Sequence, residues 1–352
     1  MSHTLLRADG SSTIGMGHVM RCLAMADAVA ARGSTPVFVT KALTDGAVDV
    51  LRRGGATVEE IPGDLGLEDD ARLTWKIAER HGARLIVTDL CDWDALRNPD
   101  ALRTYHAVLH ADYVVLALAG GRLVDLPATI VVAPYVHTAA APEPGGRTLL
   151  AGPAFFIFRR EFVKAAAVPR VVAPRARRVL VTLGGADPER LTVKILEALR
   201  RLADAELEVR VVVGPRFPDE LRTQIVQMAA GLGDVCTLLP HDTDLAAAML
   251  WADLAITADG FTRYETAVTG TPSLTLELAA SDPELNAVFA AAGTTRPVPV
   301  AAGTGIPELA RLVRSLLDDH VGRQEMSRRG RALLDGRGIE RILAALPAGV
   351  LA

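Results

Sequence analysis

Aromatic side chains are scarce: Phe, Tyr and Trp together make up 4% of the 352 residues. Stacking platforms for bases or sugar rings are therefore few. The three cysteines, Cys22, Cys91 and Cys236, are odd in number, widely spaced and without metal-ligand spacing. They argue against a disulfide framework and for a reducing compartment. No sign of charge dominates, with 38 Lys+Arg against 42 Asp+Glu and a net charge of −4. That balance gives no overall attraction to nucleic acid. Half of the residues are hydrophobic, yet no uninterrupted apolar run approaches the roughly 20 residues of a membrane span. The first residues lead straight into a strand with Arg7 and Asp9 at its end, unlike a secretory leader. A soluble, cytoplasmic protein with no membrane span is expected.

What the chain has in quantity is alternation. Apolar, strand-like runs at 4–8, 36–40, 57–61, 85–89, 113–118 and 129–132 are separated by helical patterns, one with Val19, Leu23, Ala26 and Ala30 on a stripe. Residues 138–147 break the pattern, and residues 168–178, with Pro169, Pro174 and a run of arginines, read as an exposed linker. The alternation then resumes at 178–182, 208–213, 235–239, 254–257 and 273–276, with a helical tail from Ile306. Two α/β domains with parallel sheets follow, 1–168 and 169–352. Ligands in such sheets sit at the carboxyl ends of strands. The cleft between two such domains is the expected active site.

Three loops after strands carry candidate chemistry. The first, "RADGSSTIGMGHVMRCLAMADAVAARG", sets Gly15 and Gly17 before a helix that begins near His18. Backbone N–H groups and a helix N-terminus suit a phosphate or another anion. His18 and Arg21 are three apart on the first turn, so both can lean over one bound group. A histidine there can act as general base, with Arg21 holding it or the ligand. A turn with a surface His and Arg would look the same. Met20 occupies the place of the third glycine of a dinucleotide fingerprint, which excludes that motif.

The second loop, "VLVTLGGADPERLTVKILEAL", has Gly184 and Gly185 after a strand, with Asp187 as cap and Pro188 opening a helix. Paired glycines allow close backbone approach to a ligand. The third, "DLAITADGFTRYETAVTGTPSLTL", turns at Gly260. There Thr262 and Glu265 either form a capping box or meet phosphate oxygens and ribose hydroxyls. Asp89, Cys91, Asp92 and Asp94 follow a first-domain strand, where acidic residues are more often solvated than catalytic. His241 reads as structural, and His106 and His110 lack a third metal ligand nearby.

In this order and spacing the three loops resemble the UDP-sugar hydrolase of pseudaminic acid biosynthesis and the related spore-coat polysaccharide biosynthesis proteins. "LLAGPAFFIFRREF" and the terminal "DGRGIERILAAL" extend the resemblance over nearly the whole chain. It implies two Rossmann-like domains of the glycosyltransferase-B type, as in the peptidoglycan N-acetylglucosaminyltransferase, with the nucleotide on the C-terminal one. It implies His18 as the base that activates water against the anomeric carbon, and Gly15 and Gly17 near the diphosphate. Gly184 and Gly185 match the second glycine loop, and Thr262 and Glu265 match positions at the phosphate and ribose. A pyrophosphate departs readily when N–H groups and helix ends hold its charge, so no metal or cofactor is expected.

Three segments depart from the family pattern. Asp89-Leu90-Cys91 stands in place of Asp-His-Tyr, Ala119-Gly120-Gly121 in place of Asp-Asp-Leu, and Ala280-Ser281-Asp282 in place of Glu-Asn-Gln. Asp89, Asp282 and Asn286 are the candidates left for the sugar end. The expected activity is hydrolysis of a UDP-linked amino or deoxy sugar to UDP and free sugar. The alternatives are an inverting glycosyltransferase with a sugar acceptor and a non-catalytic sugar-nucleotide-binding protein.

Overall fold

The computed structural model of the chain describes residues 2–11, 16–43, 46–90, 98–119, 125–135, 147–202, 206–279, 283–299 and 303–352. Contacts divide it into two compact units, Met1–Arg159 with Arg337–Ala352, and Arg160–Gly336. The division differs from the 168/169 boundary read from sequence at both ends. The helix before the arginine-rich linker belongs with the second unit, and the last sixteen residues belong with the first.

In the first unit the chain runs β1 (His3–Ala8), α1 (Gly17–Ala30), β2 (Thr35–Ala42), α2 (Val48–Arg53), β3 (Thr57–Pro62), α3 (Leu67–His81) and β4 (Ala83–Asp89). It continues through α4 (Pro99–His110), β5 (Val114–Leu118), β6 (Ile130–Ala133) and β7 (Thr148–Ala151). All pairings are parallel, in the order β3-β2-β1-β4-β5-β6-β7. The central strands are buried on both faces, as their unbroken apolar runs require. Leu6, Val87 and Val132 pack into one cluster and Leu5, Ile86 and Val131 into the other. The short strand β7 was not expected from sequence. The buried stripe of α1 runs through Val19, Cys22, Met25, Ala26 and Val29, rotated from the expected one so that Ala30 is exposed and Arg21 is buried.

The second unit begins with α5 (Arg160–Ala166) and runs β8 (Arg178–Thr182), α6 (Leu191–Leu202), β9 (Glu208–Val212), α7 (Asp219–Leu232), β10 (Cys236–Leu239) and α8 (Leu245–Trp251). It goes on to β11 (Leu254–Ala258), α9 (Thr262–Thr269), β12 (Ser273–Glu277), α10 (Pro283–Ala292), β13 (Arg296–Pro299), α11 (Ile306–Asp318) and α12 (His320–Leu333). Its parallel strands order as β10-β9-β8-β11-β12-β13. The edge strand β13 was not expected. Helix α13 (Gly338–Ala344) returns to the first unit, where Ile342 and Leu343 join the cluster of Leu6 and Val87. Both sheets thus reverse strand order once, between β1 and β4 and between β8 and β11, the point where open α/β sheets bind ligands.

His106, which lacks a third metal ligand nearby in sequence, is a core residue on α4. Its Nδ1–H donates to the Leu102 carbonyl at 2.8 Å, and its Nε2 accepts from the Thr88 hydroxyl at 2.9 Å. Burial pushes its pKa from 6.5 down to about 4. Between those values the unfolded chain binds a proton that the folded chain refuses, so acid lowers stability by up to about 3 kcal/mol. Urea unfolding of His106→Gln should lose that slope between pH 6.5 and 4. Equal slopes for variant and parent would contradict the assignment.

Candidate active site

At the switch point of the first sheet, the loop after β1 leads into α1, and β4 ends beside it at Asp89. The three ionisable groups that meet here come from residues about seventy positions apart. Asp89 Oδ1 lies 2.8 Å from His18 Nδ1 and 2.9 Å from Arg21 Nη2. Arg21 Nε donates to Asp89 Oδ2 at 3.1 Å, which makes the guanidinium grip bidentate. On its opposite edge Nη1 donates to the Tyr135 hydroxyl at 2.8 Å. Tyr135 stands two residues past β6 and is buried.

Electrostatics fix the protonation of this group. Burial alone would raise the Asp89 pKa, but the charges of Arg21 and His18 hold it below the usual carboxylate range. Burial would likewise weaken the Arg21 cation, and Asp89 more than restores it. With an ionised oxygen 2.8 Å away, a bare Nδ1 would set two acceptors against each other. The carboxylate thus favours the neutral imidazole with its proton on Nδ1 and its lone pair on Nε2, while the Arg21 Nη2 donor, 2.9 Å from Nδ1, favours the other tautomer. The His18 side chain keeps 13% of its surface exposed, against 1% for Asp89. A carboxylate that orients an imidazole for proton uptake at Nε2 is the arrangement of a general base.

A second buried ion cluster braces the end of β1. Arg7 donates to both oxygens of Asp9, at 2.6 and 2.8 Å, and to both of Asp70, at 3.1 and 2.6 Å. Asp9 also accepts from the Lys41 backbone N–H at 2.8 Å. The cluster ties the exit of β1 to α3 and β2.

The second unit answers with backbone rather than ionisable groups. After β8, Gly184 takes φ +75°, and Asp187 and Arg190 take φ 44° and 53°. Such strain in non-glycine residues persists where surrounding bonds hold it, often at ligand sites. Here Asp187 accepts from Leu191 N–H, Thr192 N–H and the Thr192 hydroxyl at 2.8, 2.9 and 2.6 Å. Asp187 therefore caps α6 as expected, but the helix starts at Leu191, and Pro188 lies in the preceding turn. A Cβ on Gly214 would come within 2.5 Å of the Gly184 carbonyl and 2.6 Å of that of Gly185. The glycine pair is thus packed against the loop after β9. Glu189 reaches across to accept from Ala279 N–H at 2.7 Å.

After β11, the expected capping box is not formed: Phe261 is the N-cap of α9 and no side chain caps it. Thr262 is the first helical residue, with Glu265 one turn on, both half-buried. Neither a left-handed φ nor a close neighbour requires Gly260; the space beside it is open. Asn286 accepts from Arg263 Nη1 at 2.7 Å and donates to Asp259 at 3.3 Å, bracing α10 to this loop.

The structure therefore brings His18, Arg21 and Asp89 together in one unit, with Gly17 opening α1. It gathers Gly184 and Gly185 after β8, and Gly260, Thr262 and Glu265 after the adjacent β11. Gly15, Cys91, Asp92, Asp94, Gly120, Gly121, Ala280, Ser281 and Asp282 lie outside the described residues. Two roles escaped the sequence reading. Asp89, assigned to the sugar end, is the partner of His18. Tyr135 was not singled out, although a rare tyrosine just past the carboxyl end of an apolar strand is where polar groups converge. Among the described residues no cluster of three His, Cys, Asp or Glu could hold a metal, and no helix is long and apolar enough to cross a membrane.

No family model matches the chain. The spore coat polysaccharide biosynthesis protein SpsG of Bacillus subtilis is 24% identical over 349 residues, 98% of this chain and 97% of that protein. An uncharacterized protein of Methanocaldococcus jannaschii is 27% identical over 285 residues, 76% of this chain but only 54% of the relative. The chain thus spans about half the length of that relative. Among solved structures, MurG of Acinetobacter baumannii superposes with a TM-score of 0.67 at 16% identity, covering 98% of this chain and 99% of that one. The spinosyn rhamnosyltransferase SpnG, in complex with thymidine diphosphate, gives 0.63 at 16% identity, covering 98% and 100%. At such identities the structural likeness concerns the fold: two Rossmann-like domains of the glycosyltransferase-B type. Over nearly its whole length the chain is similar in sequence to the spore coat polysaccharide biosynthesis protein SpsG.

The weight of Asp89 can be measured without a substrate. Asp89→Asn leaves the Arg21 cation buried without its counter-charge, a change that costs about 3–5 kcal/mol. Urea unfolding at neutral pH should show that loss. A loss under about 1 kcal/mol is what an exposed pair would give and would contradict the geometry.

Proposed function

We propose that the protein processes a nucleotide-linked sugar, with His18 as general base for attack by water on the anomeric carbon. The observation that carries this reading is the buried Asp89 carboxylate 2.8 Å from His18 Nδ1, which leaves the basic lone pair on Nε2. Water adds to the anomeric carbon, its proton passes to His18 Nε2, and the bond from carbon to the diphosphate oxygen breaks. The leaving group takes the bonding electrons as a nucleoside diphosphate and needs positive potential around it.

We assign the nucleotide to the second unit, where Gly184, Gly185, Gly260 and the uncapped start of α9 at Thr262 offer backbone N–H groups. Glu265, half-buried in the first turn of α9, is assigned to ribose hydroxyls. Gly15 and Gly17 are assigned to the diphosphate, and UDP is the proposed nucleotide, as in the resemblance of the loops. Asp282 and Asn286 remain proposals for the sugar end, Asn286 through the brace it makes with Arg263. Neither a metal nor another cofactor is invoked.

The second reading is an inverting glycosyltransferase, in which a sugar acceptor replaces water at the same base. The departures from Asp-His-Tyr and Glu-Asn-Gln near the sugar end favour it, as does the likeness in fold to SpnG, a rhamnosyltransferase by its name. A panel of UDP-sugars, followed for UDP and free sugar with and without acceptors, separates the two. UDP release in water alone supports hydrolysis; release that waits for an acceptor overturns it in favour of transfer.

Within that assay His18→Ala should lower turnover at least about 10²-fold while UDP affinity stays within about twofold, as a general base predicts. An active variant would remove His18 from the chemistry. Glu265→Ala should weaken UDP binding about tenfold, the effect of losing hydrogen bonds to a carboxylate. Unchanged UDP affinity would remove Glu265 from the nucleotide site.

A further inference from the structure

Among the four tyrosines of the chain, Tyr135 alone is described with its hydroxyl bonded to Arg21, the cation beside the base. It lies 8% exposed at the carboxyl end of the sheet.

Its effect follows from the shape of Arg21. The guanidinium is a rigid plane with two edges. One edge, Nε and Nη2, grips Asp89, while Nη1 on the opposite edge is held by Tyr135 at 2.8 Å. Nη2 also lies 2.9 Å from His18 Nδ1. That contact presents a choice. If the plane rocks so that Nη2–H donates to Nδ1, the imidazole carries its proton on Nε2 and loses its basic site there. If Nη2–H stays on Asp89 Oδ1, Nδ1–H donates to the same carboxylate and Nε2 keeps the lone pair.

We infer that Tyr135 is a positioning residue, which by anchoring Nη1 keeps Arg21 on Asp89 and so selects the Nδ1–H tautomer of His18. This inference rests on the proposed role of His18 as base, but its first test does not. Tyr135→Phe keeps the ring in place and removes only the acceptor. Nitrogen-15 NMR of the His18 ring at a pH where it is neutral should show Nδ1–H in the parent protein. In Tyr135→Phe the two ring-nitrogen shifts should move towards each other as both tautomers become populated. A parent that carries the proton on Nε2, or a variant with unchanged shifts, overturns the inference whether or not a substrate is known.

With a turned-over UDP-sugar in hand, Tyr135→Phe should lower kcat about tenfold and leave KM within about twofold, because tautomer selection acts on the chemical step. Tyr105→Phe, which removes another buried hydroxyl of the same unit, one bonded to Thr74, should leave both unchanged. Equal kcat in the parent and Tyr135→Phe overturns the positioning role. A fully active His18→Ala, with the NMR change still present, would instead overturn the base assignment and leave the tautomer control standing.

Discussion

One carboxylate organises the first unit. Asp89 is 2% exposed and accepts from Arg21 Nε, Arg21 Nη2 and His18 Nδ1. An isolated charge at such depth would be expelled or neutralised. It persists because α1 delivers a cation to it, and Arg21 in turn lies on the buried side of α1 only because Asp89 is there. The same bond that lets the helix pack also sets the histidine. Core packing and the orientation of His18 therefore rest on one arrangement in this unit.

Topology explains why the partners meet. The strand order reverses between β1 and β4, so α1, which follows β1, meets Asp89 at the end of β4. The Arg7, Asp9 and Asp70 cluster stiffens that exit from the other side. The second sheet reverses in the same way between β8 and β11, but there the exits carry glycines, strained backbone and an uncapped helix start. One fold, used twice, carries a buried His–Asp–Arg group in one unit and glycine-bearing loops in the other.

The alternation of apolar strands and helices was legible in the sequence because central parallel strands are apolar on both faces. Edge strands β7 and β13 escaped notice for the converse reason: each is four residues long, and neither is buried throughout. The glycine loops were legible as well, since a turn that approaches a neighbour closely needs glycine. The roles of Asp89 and Tyr135 were not. Asp89 looks like any acidic loop residue until β4 is set beside β1, and Tyr135 meets Arg21 across 114 positions of chain. A capping box between Thr262 and Glu265 was a sound local reading that the helix, starting one residue earlier at the Phe261 cap, does not use.

The return of α13 to the first unit has a consequence for synthesis. Ile342, Leu343 and Val350 fill a core whose other members, such as Leu6 and Val87, leave the ribosome far earlier. The unit that is begun first is thus completed last. The second unit, Arg160–Gly336, is contiguous and emerges whole before the first can close. Until then the cluster around Leu6 and Val87 lacks the side chains of Ile342, Leu343 and Val350.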